Sequence, residues 1–132
     1  MDLQSALGNT NQIIKNAFKG ITDEIQMCIQ NCALCHQVCE QTLSYCLTKG
    51  GRHLEARHLK ALIDCAQICM TSTGLMARDS NLHPLVCGAC AEACNLCATS
   101  CDQFSDDETM KLCADICRRC AESCREMAKM PH

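Results

Sequence analysis

The chain has 132 residues and a mass of 14.5 kDa, the size of a single domain. Leu, Ile, Val and Phe together number only 25, a proportion that goes with disorder when net charge is high, but here the net charge is −3, so sixteen Cys and seven Met must supply the interior. With no Trp, one Tyr, two Phe and a pI near 5.9, the chain has neither stacking surface nor basic field for nucleic acid.

The opening run Met1-Asp2-Leu3-Gln4-Ser5-Ala6-Leu7-Gly8 has no basic n-region and no apolar h-region, so no export signal is expected. No apolar run approaches the ~18 residues that cross a membrane. A cytoplasmic location is the expectation, and in a reducing compartment sixteen cysteines point to metal or redox chemistry rather than disulfides. Residues 3–18 place Leu3, Leu7, Ile14 and Phe18 at helical spacing. They predict a short helix packed outside the main body, dividing the chain into 1–20 and a bundle over 21–132.

The first bundle helix is capped by Thr22 or Asp23, ends after Lys49 at Gly50-Gly51, and carries Cys28, Cys32, Cys35, Cys39 and Cys46. The second spans about 53–73, near Gly74, with Cys65 and Cys69 on a stripe continued by His58, Leu62, Ser72 and Met76. Pro84 fits the first turn of the third, which carries Cys87, Cys90, Cys94, Cys97 and Cys101. Ser105-Asp106-Asp107-Glu108 reads as a capping box for the fourth, which holds Cys113, Cys117, Cys120 and Cys124 and ends before Pro131. Met110 and Met127 extend its stripe, and Ile21 and Ile25 precede that of the first helix.

Within each group the cysteines are 3 or 4 apart, except for a step of 7 from Cys39 to Cys46. That spacing stacks side chains on one face of an α-helix, whereas a strand needs steps of 2. Four thiol stripes can be buried only against one another. The expected fold is all-α: an antiparallel four-helix bundle with a Cys-lined core and an additional N-terminal helix. Its helices, of roughly 20–26 residues, would be about 30–39 Å long.

A lone buried Cys is usually a small inert hydrophobe, a reading that fails for sixteen on four seams. Disulfides are disfavoured, since cysteines one turn apart on a helix are wrongly oriented for the S–S torsion. Structural zinc sites use paired CxxC turns entering loops. Here seven pairs are mid-helix CxxxC: 28/32, 35/39, 65/69, 90/94, 97/101, 113/117 and 120/124. Such pairs suit Cu(I), a soft ion satisfied by two or three thiolates. Charge agrees: one Cu⁺ per displaced thiol proton leaves the core neutral, whereas Zn²⁺ on four thiolates leaves −2 in a dry interior. An iron–sulfur reading is prompted by Cys87-Gly88-Ala89-Cys90, but the ferredoxin run is absent.

On these CxxxC pairs, distributed over all four helices of residues 22–130, the chain resembles the cysteine-rich four-helix-bundle copper storage proteins, in particular their cytosolic branch. The resemblance implies a core holding many Cu(I) ions on thiolates, assembly into a homotetramer, and a role in storing copper or keeping it from harm. The second helix departs from a fully Cys-lined version, having only Cys65 and Cys69.

Among other soft ligands, His58 and Met110 are the candidates, lying at the end that also holds Cys46 and Cys101, where they would line an entrance. Ile21, Ile25, Met76, His83 and Met127 read as plugs at the opposite end. His36 reads as flanking the first stripe, His53 and His132 as surface residues, and Arg118, Arg119 and Arg125 as a solvated face. The expected function is Cu(I) storage or detoxification without turnover. The alternatives are general sequestration of zinc, cadmium or silver, copper delivery to a partner, and thiol redox chemistry. Catalysis is not expected, because it needs an open, activated thiolate rather than many similar buried ones.

Overall fold

A computed structural model describes residues 3–130, with side chains from residue 8 onward. His132 and the side chains of Leu3 and Leu7 therefore lie outside the described residues. Five α-helices run in order: α1 Leu3–Ala17, α2 Asp23–Lys49, α3 Ala56–Ala77, α4 His83–Asp102 and α5 Glu108–Ala128, with a 3-10 turn Gly51–Leu54 between α2 and α3. Helix α2 contacts α3 and α5, and α4 contacts the same two, so the four longest helices close a ring around one core. The fold is the expected Cys-lined four-helix bundle with an extra N-terminal helix.

Local chemistry explains the boundaries. Thr22 caps α2, its Oγ1 accepting the Ile25 N–H at 3.2 Å. Gly50, at φ 77°, ends α2 and donates its N–H to Cys46 O, and Gly51, at φ 61°, launches the 3-10 turn. That turn takes up His53, so α3 starts at Ala56 rather than near 53. Nor does Gly74 stop α3. The stop is a Schellman end in which Asp79 adopts φ 52°, Ser80 N–H bonds Leu75 O at 2.9 Å and Asp79 N–H bonds Met76 O at 3.2 Å. An Asp tolerates this left-handed position through its short polar side chain.

The cap of α5 also differs by two residues from the expected Ser105. Asp107 takes the position, its Oδ1 accepting the N–H of Thr109 at 3.0 Å and of Met110 at 3.2 Å. In α1 the expected apolar stripe is only partly used. The chain turns after Ala17, with Ile21 N–H bonded to Phe18 O, and leaves Phe18 61% exposed. Polar contacts tie α1 to α2: Asn11 Oδ1 accepts from Gln30 Nε2 at 2.6 Å, and Lys15 pairs with Asp23 at 2.7 Å.

The core contains the cysteines of all four bundle helices, flanked by buried Ala66, Ala91, Ala98, Ala114 and Ala121. Alanine beside the stripes of α3, α4 and α5 lets the helices approach closely, bringing short Cys side chains from opposite walls into contact. The step of 7 in α2 is filled by Thr42, which is 2% exposed. Arg118, Arg119 and Arg125 are exposed, as expected, and Arg118 pairs with Asp102. No helix among the described residues is long and apolar enough to cross a membrane.

Candidate metal centre

All sixteen cysteines are free thiols, and none is more than 1% exposed. Because the helices alternate in direction, the stripes cross the core in register. Cys28 Sγ lies 3.8 Å and Cys32 Sγ 3.4 Å from Cys124 Sγ, and Cys120 Sγ is 3.6 Å from Cys32 Sγ. Further along, Cys69 Sγ is 3.6 Å from Cys90 and 3.8 Å from Cys120. In the middle, Cys35 Sγ is 3.7 Å from Cys65 and 3.8 Å from Cys117, and Cys65 is 3.6 Å from Cys94. Cys39 then reaches Cys117 at 3.8 Å and Cys97 at 4.0 Å.

These sulfurs form four quartets and a trio, each with all its Sγ atoms within 4.8 Å of one another: Cys32/69/90/120, Cys35/69/94/120, Cys35/39/65/117, Cys39/97/113/117 and Cys28/32/124. Each quartet shares at least one sulfur with the next and the trio shares Cys32 with the first, so the groups form a continuous ladder rather than separate sites. Hydrogen bonding among the thiols redistributes their protons. Cys117 lowers the pKa of Cys35 and of Cys65, while Cys117 itself is raised, chiefly by Cys113. Such a cluster sheds protons readily only against incoming cations.

Cys46, Cys87 and Cys101 lie outside the five groups. Cys87 belongs with Cys28 and Cys124, whose hydrogen bonds act on it in opposite senses, and its pKa is raised to about 12. Cys101 is raised by hydrogen bonds with Cys113 and Cys97 and by burial. Burial, followed by the Asp107 carboxylate, pushes the Cys46 thiol up to about 11.

At this end Cys46 Sγ meets His58 Nε2 at 3.4 Å, while His58 Nδ1 lies 2.7 Å from Ser100 Oγ. Burial, then the neighbouring His53, lowers the His58 pKa, so the ring is held neutral and its Nε2 can face a metal or a thiol. His58 is 1% exposed and Met110 0%. They therefore stand beneath the bundle end and not at an open mouth, because the 3-10 turn and the α4–α5 loop fold over them. The Phe104 ring lies 4.8 Å from His58 and 4.2 Å from His53, and Arg52 sits 5.0 Å above it.

His53, expected at the surface, is part of this cover: Nε2 lies 2.9 Å from Asp107 Oδ2, which also accepts the Tyr45 hydroxyl at 2.8 Å. Burial works against the Asp107 carboxylate, but hydrogen bonds from Tyr45, His53, Met110 N–H and Thr109 N–H together hold its pKa below the usual value. Sequence reasoning missed this cover of Tyr45, Arg52, His53, Phe104 and Asp107, since loops distant in sequence assemble it. His36 is half-buried beside its stripe, with Nδ1 2.8 Å from Ala66 O, and so links α2 to α3. At the opposite end Ile25, Met76, His83 and Met127 are buried as expected, and Ile21 is half-buried.

Comparison with known proteins agrees with this geometry. The copper storage protein family matches residues 21–129. The Nmul_A1745 protein of Nitrosospira multiformis is 45% identical, with a TM-score of 0.76 over 81% of this chain and 97% of that one. The Cu(I)-bound copper storage protein BsCsp3 of Bacillus subtilis is 31% identical, with a TM-score of 0.75 over 80% of this chain and 99% of that one. A cytosolic copper storage protein from Streptomyces lividans, carrying five coppers, is 25% identical, with a TM-score of 0.77 over 83% of this chain and 96% of that one. The chain thus belongs to the copper storage protein family.

Proposed function

We infer that the chain stores Cu(I) in the cytosol, on Cys28, Cys32, Cys35, Cys39, Cys46, Cys65, Cys69, Cys87, Cys90, Cys94, Cys97, Cys101, Cys113, Cys117, Cys120 and Cys124, with His58 and Met110 as terminal ligands. The observation that carries this reading is the overlap of the five sulfur groups. A shared thiolate bridges two ions, so a ladder of shared sulfurs accommodates roughly as many Cu⁺ as thiols. Each Cu⁺ displaces one S–H proton to water and the core stays neutral. Anaerobic titration of the reduced metal-free protein with Cu(I) tests it: loading of the order of one ion per cysteine supports storage, and saturation at a few ions would falsify it. Ultraviolet absorption without visible bands separates Cu(I)-thiolate from iron–sulfur.

Zinc is the second reading, because a tetrahedral ion with Zn–S of about 2.3 Å wants sulfurs about 3.8 Å apart, which the quartets also offer. The charge left in the core argues against it, and competition between Zn²⁺ and Cu(I) decides. The cytosolic setting follows the Streptomyces relative. A homotetramer is proposed from the family resemblance and from exposed Leu85, Leu96 and Leu112 at 73%, 65% and 55%; light scattering measures it. The protein carries no turnover in this reading, and α1 is an appendage to the bundle.

A further inference from the structure

The end of the bundle farthest from His58 is not closed by hydrocarbon alone. Its last thiol layer is Cys28, Cys87 and Cys124, and by helical register Ser72 takes the place of α3 in that layer. Ser72 is fully buried and its Oγ has no hydrogen-bond partner. A buried, unpaired hydroxyl beside three thiols is costly unless something binds there.

Four of the chain's seven methionines gather outside this layer. Met76 and Met127 are buried directly behind it, at 0% and 2% exposure. Met130, one turn beyond Met127, is half-buried against the core, and Met27 on α2 is 58% exposed. Met27, Met127 and Met130 together line a groove between the start of α2 and the end of α5, rimmed by Glu24 and by Glu126, which pairs with Lys129 at 3.3 Å. Methionines thus occupy this end from the exposed Met27 to the buried Met76 and Met127, where Leu or Ile would have served a plain seal as well.

We propose that Met27, Met127 and Met130 form a Cu(I) transfer site feeding Cys28, Cys87 and Cys124, a port at the end of the bundle opposite the covered His58. The proposal rests on the storage reading. Thioethers are neutral, soft and weaker Cu(I) ligands than thiolates, so an ion held there keeps its charge, which the Glu24 carboxylate on the rim offsets. It then passes inward by ligand exchange: a Cu–S(thioether) bond breaks, a Cu–S(thiolate) bond forms, and the Cys proton leaves to water. Copper remains Cu(I) throughout.

The test compares wild type with M27L/M127L/M130L and with the milder M27L/M130L, checking each by circular dichroism. Cu(I) uptake from a weak chelate and removal by a strong Cu(I) chelator are timed, and total capacity is counted. Several-fold slower exchange at unchanged capacity is expected, together with shifts of the Met127 and Met130 methyl resonances at the first equivalents of Cu(I). Unchanged rates in both variants with unmoved methionine resonances overturn the port. A wild-type capacity of only a few ions defeats the storage reading instead, and the methionine resonances still report on the port.

Discussion

The middle of the bundle and its His58 end are made of the same helices but solve different problems. In the middle, every wall of the core presents sulfur, neighbouring Sγ atoms lie 3.6–4.0 Å apart, and no residue there is singular. At the end, one imidazole, one thioether, a phenyl ring and a carboxylate replace that uniformity, and each has its own partner. On the storage reading, the contrast assigns capacity to the interchangeable thiols, and the rate of exchange and the integrity of the end to particular side chains.

The largest expected effect is on capacity. Cys35→Ser with Cys117→Ser removes sulfurs that three of the quartets use between them, so anaerobic titration should find two or more ions lost. A loss of fewer than two would mean these sulfurs do not each account for an ion, and the middle would not be a ladder. Next, His58→Ala with Met110→Ala should slow uptake and chelator removal several-fold while capacity stays almost unchanged. A large fall in capacity would make the end part of the store and erase the contrast.

Stability changes are smaller and are read on the reduced metal-free protein, which should already be helical by circular dichroism because its caps need no metal. Asp107→Ala removes the α5 cap, and urea denaturation should show a loss of about 0.5–2 kcal/mol. Smallest is the pH effect of His58. Its folded pKa lies below the usual value of about 6.5, so the unfolded chain binds more protons below that pH. Its contribution is therefore intact above about pH 6.5 and is lost as pH falls towards the folded pKa. His58→Gln should flatten that part of the stability profile.

The thiol stripes were legible in the sequence because spacing of 3 and 4 has one structural meaning, and because Thr22 and Gly50 are strong local punctuation. The stripe of α3, from His58 through Leu62 and Ser72 to Met76, is likewise buried in full. What local pattern could not deliver was the far end of α3, where an Asp at positive φ outranks the glycine five residues earlier. The cover over His58 was equally illegible: His53 reads as a loop residue until the α4–α5 loop carries Phe104 and Asp107 against it.

Asp107 has a consequence for how the molecule breathes. One carboxylate caps α5 and also holds Tyr45 at the end of α2 and His53 in the 3-10 turn. These three elements cannot loosen independently, since releasing any of them strips the others of a shared acceptor. In hydrogen-exchange terms the amides of Gly50, His53 and Met110 should therefore share one opening free energy, distinct from that of the sulfur-packed middle, so that this end unlatches as a single cooperative unit.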